Sequence, residues 1–380
     1  MTVTGPCNAP DVVDVVALGE SMVTFLPTRP GRLADVPSFD RGIGGAESNV
    51  ACVLAAAGHS ARWVSRVGTD GFGDHLTEAI GGYGVDVSAV RRDSERPTGV
   101  YFRTAGDRAT DAHEVAYYRA GSAASAMAVE NVDMGAVRAG RVLHLSGITA
   151  ALSEGCLQLV RELTSLCRGR QLVSFDVNYR PGLWRDADSA GVLLELARDA
   201  DIVFVGEDEA EEAWGVTGGP AAIRELLPEP GTVVVKQGAR GATASVRLRA
   251  VVPPGAARVG AGGTPSAPGR ATHPRPTATP VTFVPALNVT PVAAVGAGDA
   301  FAAGFLSGAL RELPVRDRLR HGHLMAAATL TAPGDLAPPP HRAHADRLAA
   351  LDDKTWGTLR LGPGWTSQTE HRAEEEVRTP

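Results

Sequence analysis

The chain is poor in cysteine, and its cysteines are scattered. Four occur in 380 residues, at Cys7, Cys52, Cys156 and Cys167, and they form neither a CxxC pair nor a cluster with histidine. Thiolate metal sites and reactive pairs need cysteines grouped at short spacings. We therefore expect Cys52, Cys156 and Cys167 to be small packing residues on helices, without a reactive or metal-binding role.

Long apolar runs and an excess of basic residues are absent as well. No run approaches the roughly 18 apolar residues that span a bilayer, and residues 1–12 lack both a basic start and an apolar core. The 37 basic residues stand against 43 acidic ones, a net charge of −6, so nothing attracts the chain in general to nucleic acid or to anionic membranes. These absences predict a cytoplasmic protein that binds neither.

What the chain does contain suffices for one large α/β domain, because 44% of its residues are hydrophobic. Apolar runs of strand length alternate with helical stripes over about residues 12–350, which predicts a doubly wound, mainly parallel sheet with helices on both faces. The predicted strands are Val13–Leu18, Ala61–Arg66, Val142–Leu145, Leu172–Asp176, Ile202–Val205 and Thr232–Val235. The predicted helices are Ala46–Ala57, Gly155–Cys167, Ala190–Ala197 and Asp299–Leu310.

Two segments follow a different pattern and predict a second, smaller sheet. At about 20–42 and 98–120, apolar and polar residues alternate, as in VYFR at 100–103. This alternation is typical of an antiparallel sheet. Because successive residues of a strand point to opposite faces, we expect Tyr117 and Tyr118 to lie on different sides of it.

Two further segments are too polar to form part of a core. Residues of about 252–280 are rich in Pro, Gly, Ala, Thr and Arg and have almost no large apolar side chains. They cannot bury an apolar face, so we expect a flexible insertion. The tail at 353–380 is similarly polar and is expected to be disordered.

Residues 289–305 carry the strongest chemical signal. A β-rich run enters the turn Gly296-Ala297-Gly298, and an apolar-striped helix follows with Asp299 in its first turn. Glycine lets the backbone approach a phosphate closely, and the free N–H groups of a helix N-terminus favour negative charge. A carboxylate in such a turn is explained most simply as the base that orients and deprotonates a hydroxyl attacking a phosphoryl group. The alternative is that Asp299 only caps the helix.

This stretch resembles a known family. GAGDAFAAGF at 296–305 is similar to the C-terminal signature of the ribokinase-like (PfkB) carbohydrate kinases, and IGGAESNVACVLAAAG at 43–58 is similar to their N-terminal signature. Further segments between 65 and 242 follow in the order of that family. The resemblance implies a ribokinase-like fold whose antiparallel lid covers the sugar and often forms a dimer interface, and it implies ATP and Mg²⁺ as cofactors.

Within the family, YYRAGSAAS at 117–125 and DVNYR at 176–180 look most like the members that phosphorylate 2-keto-3-deoxygluconate. A sugar acid carries a carboxylate, and burying it without a cation is costly, so its pocket should contain arginine. The two arginines of these segments are candidates, with tyrosine hydroxyls as donors. The implied substrate-binding residues are Gly45, Asn49, Tyr101, Tyr117, Arg119 and Arg180.

The resemblance also implies catalytic and nucleotide-binding residues. Asp299 is the expected base, and the amides of Gly296, Ala297 and Gly298 are expected to hold the charge that develops on the phosphoryl group. Mg²⁺ is expected to be bound mainly by the phosphates of the nucleotide and by water, with Glu209 acting through water. The expected nucleotide-binding residues are Lys236, Gly238, Gly241 and Gly298.

The chain departs from the family pattern at several positions. Ala293-Ala294-Val295 lack the aspartate that helps to bind a monovalent cation in many relatives, so we expect little dependence on potassium. Gly206 replaces the asparagine of the N-x-x-E element, and His323 and Met325 leave the adenine contacts unassigned.

The functional interpretation is therefore an ATP-dependent kinase that transfers phosphate to the terminal hydroxyl of 2-keto-3-deoxygluconate. The expected partners are a small sugar acid and ATP, with a homo-oligomer formed through the lid. The alternatives are a fructokinase or another PfkB sugar kinase, and a non-catalytic sugar-binding relative. A nucleoside kinase suits two pocket arginines less well, because a nucleoside is neutral.

Overall fold

The computed structural model describes residues 12–104, 114–165, 170–184, 189–247 and 280–367. Cys7 and Cys167 lie outside these ranges, and so does the insertion expected at about 252–280, apart from its last residue. The two described cysteines, Cys52 and Cys156, are free and buried, as expected of packing residues. Every helix in the described ranges is too short or too polar to cross a membrane.

Strands and helices alternate along most of the chain. The strands are β1 (Val13–Leu18), β2 (Met22–Pro27), β3 (Phe39–Gly44), β4 (Ala61–Val64), β5 (Arg66–Gly68), β6 (Arg91–Asp93), β7 (Val100–Arg103), β8 (Val115–Tyr118), β9 (Gly140–Ser146), β10 (Leu172–Asp176), β11 (Ile202–Gly206), β12 (Thr232–Lys236), β13 (Gly241–Val246), β14 (Val281–Pro285), β15 (Asn288–Val289) and β16 (Arg360–Leu361). The helices are α1 (Ala46–Ala56), α2 (Gly71–Gly82), α3 (Met134–Arg138), α4 (Gly147–Ala150), α5 (Glu154–Thr164), α6 (Ser189–Asp199), α7 (Glu207–Trp214), α8 (Gly219–Leu226), α9 (Ala297–Leu310), α10 (Val315–Leu330), α11 (Arg342–Ala349) and α12 (Asp353–Thr358). The predicted elements fall within about two residues of these at most ends, which confirms the doubly wound α/β class.

An eight-stranded sheet forms the centre, in the order β14-β13-β12-β11-β10-β9-β1-β4. The six strands from β12 to β4 are parallel, while β13 and β14 are antiparallel to their neighbours. In an open parallel sheet, ligands bind outside the carboxyl ends of the strands, near the point where the strand order reverses. Here the order reverses beside β1, since β4 lies on one side of β1 and β9 on the other.

Alternate residues of the buried strands face two separate helical layers. Ile202 and Phe204 pack with α1, α9 and α10 on one face, whereas Val203 and Val205 pack with α5, α6 and α8 on the other. A strand buried on both faces needs apolar residues at every position, and β11 has them. This two-sided burial holds the carboxyl ends of the strands in one plane.

The lid sheet differs from the prediction in one strand pairing. It has four strands in the order β3-β2-β7-β8. The outer pairs are antiparallel, but β2 and β7 run parallel. Only antiparallel strands can be joined by a tight turn, and the segment between β2 and β7 is a long crossover, as a parallel pair requires. The alternation of polar and apolar residues identifies each strand, but it does not show whether two strands pair in parallel or antiparallel.

The tail also differs from the prediction, because residues 353–367 are folded. They form α12, the short strand β16 beside β15, and a 3-10 turn at Trp365–Ser367. Trp356 and Trp365 are both buried, and the Trp356 ring lies 4.5 Å from the Arg320 guanidinium. Two large aromatic side chains provide enough apolar surface to fix a segment that is otherwise polar.

Two glycines allow α9 and α10 to pack with their backbones in contact. A methyl group on Gly304 would overlap the backbone of His321 and lie 2.8 Å from the Cα atom of Gly322. A methyl group on Gly322 would lie 2.9 Å from the ring of Phe301. The close approach matters for the site because α9 begins at the Gly296 turn.

We predict that Gly304→Ala lowers the free energy of unfolding by about 1–3 kcal/mol, the usual cost of overpacking a core. Where there is no steric overlap, replacing a helical glycine by alanine stabilises the fold by about 1 kcal/mol. A loss of stability in Gly304→Ala would therefore show that the added methyl group overlaps the neighbouring backbone. Gly357→Ala is the matched control, because Gly357 is exposed in α12 with open space beside it. Urea unfolding of both variants measures the difference, and equal stabilities would contradict the packing described.

Candidate active site

Three predicted site residues, Lys236, Asn49 and Asp299, meet at the carboxyl edge of the central sheet, together with Asp176, which was not predicted to belong to the site. Asp176 ends β10 and Lys236 ends β12, while Asn49 lies in the first turn of α1 and Asp299 in the first turn of α9. Parallel strands place their carboxyl ends on one side, so residues distant in sequence come together there.

The turn Gly296–Gly298 needs glycine at its first position for two reasons. Gly296 has a φ of 79°, in the left-handed region that favours glycine, and it is the N-cap residue of α9. A methyl group there would also overlap the backbone of Asp335. The helix that follows presents the free N–H groups of its first turn at this point, as an anion site requires.

Asp299 is half-buried in this turn and is bonded to Asn49. The Asn49 amide Nδ2 donates to Asp299 Oδ2 at 2.8 Å, which joins two helices that lie 250 residues apart in sequence. Burial, with a further contribution from the charge of Asp176, raises the pKa of Asp299 to about 7, against the lowering effects of Asn49, Lys236 and Arg180. A carboxyl group with this pKa can gain and lose a proton near neutral pH.

The other polar atom of Asn49 is an acceptor without a partner. Asn49 is 3% exposed, and its Oδ1 has no hydrogen-bond partner among the described residues. A buried acceptor left unpaired is costly, and a ligand hydroxyl can satisfy it. Asn49 therefore offers an acceptor for a hydroxyl directly beside the carboxylate of Asp299.

Lys236 places a positive charge next to the same turn. Its Nζ donates to both carboxylate oxygens of Asp176, at 3.0 and 2.9 Å, and lies 3.7 Å from where a side chain on Gly298 would begin. Burial alone would lower the pKa of Lys236, but the charges of Asp176 and Glu209 raise it above its ordinary value, so the ammonium stays charged. Only two lysines occur in the chain, and this one stands where a compact positive charge faces the anion turn.

Arg180 also lies near Asp299, but its charge is paired. Its Nη1 donates to Glu209 Oε1 at 3.2 Å, while the backbone N–H of Gly206 donates to Glu209 Oε2 at 2.8 Å. Burial would raise the pKa of Glu209, yet Lys236 and Arg180 lower it overall, so Glu209 is ionised. Both oxygens of Glu209 are thus engaged by the chain itself.

No group of three or more metal-ligating side chains occurs among the described residues. The site carboxylates of Asp176, Glu209 and Asp299 are each bonded to a lysine, an arginine or an asparagine. This donor set fits a Mg²⁺ ion that is carried by the phosphates of a nucleotide better than one held in an all-protein site.

Gly238 and Gly241 shape the turn between β12 and β13. Both have positive φ, 57° and 143°, and a side chain on Gly241 would overlap the backbone of Val284. The side chain of Lys236 points away from this turn toward Asp176, so the two parts of the K-x-G-x-x-G motif occupy different places. His323 and Met325, for which adenine contacts were uncertain, are buried in the core, where His323 bonds the Val284 carbonyl.

The lid brings its predicted residues over the other side of the site. Tyr101 and Tyr117 share one face, with ring centroids 5.5 Å apart, and Tyr118 lies on the opposite face as expected. The Arg119 guanidinium is 5.8 Å from the centre of the Tyr117 ring. The side chain of Arg119 is largely buried, and it pairs with the buried Glu20.

Gly45 faces the residues that follow β1. Its backbone is extended, and a side chain there would overlap the carbonyl of Glu20 and lie 2.8 Å from the Cα atom of Ser21. The glycine is thus required for the close packing of the turn before α1 against the end of β1.

Sequence reasoning missed two buried glutamates on this side. Glu20 accepts from Ser122 Oγ at 2.6 Å and forms an ion pair with Arg119. Glu47 is fully buried, and its Oε1 accepts from Ser146 Oγ at 2.7 Å and Thr149 Oγ1 at 2.6 Å. The sequence could have indicated Glu47, because it is a charged residue in an otherwise apolar helix, GGAESNVA, and a buried charge needs a partner.

Comparison with known proteins identifies the family. The family model described as pfkB family carbohydrate kinase matches residues 13–262 and 277–342. The 2-dehydro-3-deoxygluconokinase of Bacillus subtilis (strain 168) is 32% identical over 345 residues, which are 89% of this chain and 95% of that protein.

Solved structures share the fold. A PfkB protein from Polaromonas sp. JS666 is 31% identical with a TM-score of 0.71, over 88% of this chain and 99% of that one. A sugar kinase from Pyrococcus horikoshii in complex with ATP is 23% identical with a TM-score of 0.70, over 90% of this chain and 99% of that one. Because the family model matches most of its length and a relative is 32% identical over 89% of it, the chain belongs to the pfkB family of carbohydrate kinases.

Proposed function

We propose that this carbohydrate kinase transfers the γ-phosphate of ATP to the terminal hydroxyl of 2-keto-3-deoxygluconate, giving 2-keto-3-deoxy-6-phosphogluconate and ADP. The observation that carries the proposal is the half-buried carboxylate of Asp299, which lies near an unpaired acceptor on Asn49 and the charged ammonium of Lys236. A related kinase named for this substrate, known by its synonym 2-dehydro-3-deoxygluconate, supports the choice of sugar.

Asp299 is the proposed base. The reacting hydroxyl of the sugar donates to the carboxylate of Asp299, and a second hydroxyl of the sugar donates to Asn49 Oδ1, which fixes the orientation of the attacking oxygen. Asp299 takes the proton as the oxygen bonds to phosphorus. A pKa of about 7 allows the group to be ionised before transfer and protonated after it.

Lys236 and the turn amides are the proposed stabilisers of the phosphoryl group. Negative charge on the transferred group meets the amides of Gly296, Ala297 and Gly298 and the ammonium of Lys236. Asp176 holds that ammonium in place. Mg²⁺ bound to the nucleotide would supply further charge neutralisation, with Glu209 reaching it through water, and Gly238 and Gly241 would form the nucleotide side of the site.

Arg119 and Arg180 are the proposed partners of the substrate carboxylate, with Tyr117 against the Arg119 guanidinium. Both arginines are already paired, with Glu20 and Glu209. These pairings also fit a neutral sugar, which makes a fructokinase the second candidate. A coupled ADP-release assay over keto-deoxy acids and neutral sugars separates the two, and a preference for fructose would contradict the proposed substrate.

The lid also supports a proposed homo-oligomer. Its outer face carries an aromatic cluster in which Phe25 and Phe102 stack at 4.7 Å, with Phe72 and Tyr118 at its edges. Tyr118 is 66% exposed and Phe72 is 37% exposed. Exposed clusters of this kind mark contact surfaces, and a monomer at all concentrations in sedimentation equilibrium would rule this one out.

We predict that Asp299→Asn folds and binds ATP but loses about 10²- to 10⁴-fold in kcat, the usual contribution of a positioned base. Asp346→Asn is the control, because Asp346 is paired with Arg311 in another part of the fold. Steady-state assays of both variants, with calorimetry for ATP, test the assignment. Near-normal turnover of Asp299→Asn would remove Asp299 from the mechanism.

The pH dependence of turnover gives a second prediction. Because Asp299 acts as a base only when ionised and its pKa is raised to about 7, kcat/KM should fall about tenfold per unit below that pH and level off above it. The profile should be measured with Mg²⁺ in excess, so that the nucleotide itself does not titrate in this range. A flat profile down to about pH 5 would contradict the raised pKa.

The third prediction concerns selectivity. Arg119→Met and Arg180→Met should each lower kcat/KM for the keto-deoxy acid about 10- to 100-fold, because a charge-assisted hydrogen bond is lost. Activity on fructose should fall much less. Adding Glu20→Gln to Arg119→Met removes the buried charge left behind, which separates lost binding from lost stability. Equal losses on both sugars would favour the fructokinase.

A further inference from the structure

A serine, a histidine and an aspartate form a chain of contacts at the amino end of the central sheet. The His59 Nε2 atom lies 2.8 Å from Ser307 Oγ, and its Nδ1 atom lies 3.5 Å from Asp14 Oδ2. Ser307 is in α9 and Asp14 is in β1, while His59 follows α1. This chain of contacts, the His59 bridge, has no role in the mechanism above.

The order of the three residues is that of a hydrolase triad, but Ser307 cannot act as a nucleophile. It is 4% exposed inside α9, so a substrate has no access to its hydroxyl group. The backbone N–H groups around it are used by the helix, which leaves none of them to stabilise an oxyanion. The function of the bridge must therefore lie in the elements that it connects.

The sheet side of the bridge is fixed by several hydrogen bonds. Asp14 Oδ1 accepts from Arg141 Nη1 on β9 at 2.9 Å, and Asp14 Oδ2 accepts from the backbone N–H of Ser60 at 3.1 Å. The backbone N–H of His59 donates to the Leu54 carbonyl in the last turn of α1 at 3.0 Å. These bonds fix the position of His59 relative to β1, β9 and α1.

The bridge and the active site lie at opposite ends of the contact between α1 and α9. Asn49 bonds Asp299 at one end, and His59 bonds Ser307 at the other. Ser307 follows Asp299 by eight residues, or about 12 Å along the helix. Apolar packing between helices is not directional, whereas a hydrogen bond requires a particular distance and angle. The two bonds therefore determine how far along α1 the helix α9 lies.

The serine hydroxyl suits both charge states of His59. Neutral imidazole has one donor and one acceptor nitrogen, and the charged form has two donors. With the Nδ1 proton directed to Asp14, neutral His59 accepts from Ser307, and charged His59 donates to it. A hydroxyl can take either role, so the bridge holds α9 in place in both states.

We propose that His59 is a positioning residue that fixes α9 through Ser307 and thereby aligns Asp299 with Asn49. The inference rests on the proposed function in one respect, because Asp299 is taken as the base. Reacting groups tolerate little displacement, since a shift of about 1 Å can cost about 100-fold in rate. Loss of the bridge should therefore slow phosphoryl transfer, while the binding of sugar and ATP changes little.

Two amide substitutions separate the two contacts of His59. The amide of glutamine reaches as far as Nε2 and can bond Ser307, whereas the shorter asparagine reaches only as far as Nδ1 and can bond Asp14. In rapid-quench experiments, His59→Asn should lower the single-turnover rate about 10-fold, with the KM of each substrate changed less than about twofold, and His59→Gln should restore most of that rate. Ser307→Ala should match His59→Asn, and the double variant should be no slower.

The titration of Asp299 by ¹³C NMR reports its alignment without turnover. Burial raises the pKa of Asp299, and the bond from Asn49 opposes that rise. A displaced α9 weakens this bond, so the midpoint of the titration should rise in His59→Asn and Ser307→Ala and stay at the wild-type value in His59→Gln. Ser153→Ala is the control for stability, because Ser153 caps α5 on the other face of the sheet. It should lower the midpoint of urea unfolding and leave transfer and titration unchanged.

The proposal is wrong if the Asp299 midpoint is unchanged in His59→Asn and Ser307→Ala, or if His59→Gln shifts it as much as His59→Asn does. Where Asp299→Asn is inactive, an unchanged transfer rate in the two bridge variants would also overturn it. Ser307→Ala leaves the contact with Asp14 intact, so it keeps the test decisive if His59→Asn fails to fold. A shifted midpoint together with normal turnover of Asp299→Asn would reject the proposed base and keep the positioning.

Discussion

The pairing of Lys236 with Asp176, buried beside Asp299, is the interaction on which the rest of the site depends. Three ionisable groups at the ends of two strands and one helix lie close together, Asp176 buried and Lys236 and Asp299 partly buried. Two carboxylates so close would repel each other strongly without the ammonium between them. Lys236 therefore makes it possible to keep the proposed base and the proposed phosphate-binding charge close together.

The surrounding fold keeps these groups in place from both sides. Buried strand residues fix the ends of β10 and β12, and the close contact of α9 with α10 fixes the Gly296 turn. On the substrate side the supports are polar, since Glu47 ties α1 to the end of β9 and Asp335 ties the lid to the turn. Apolar packing thus positions the proposed phosphate-binding residues. Buried hydrogen bonds position the proposed sugar-binding residues, whose own donors and acceptors determine which ligand fits.

Much of this could be predicted from the sequence, for reasons that particular elements make plain. Continuous apolar runs such as Ile202–Val205 predicted buried parallel strands, and GAGD predicted the turn and its carboxylate. Most of the unpredicted features are pairings over long distances in the sequence. Nothing local in Arg119 or Arg103 reveals Glu20 or Asp335 as its partner, and no local pattern shows that β2 and β7 are parallel. Composition was also misleading for residues 353–367, where two tryptophans outweigh a polar sequence.

The account depends most on the charge state of Asp299, and a direct titration tests it. The carboxyl carbon of Asp299, assigned by comparison with Asp299→Asn, can be followed by ¹³C NMR as the pH is changed. The account predicts a midpoint of about 7 in the wild-type protein, and a higher midpoint in Lys236→Met, where the compensating charge is lost. A midpoint near the ordinary value of 3.8, unchanged by that substitution, would contradict it.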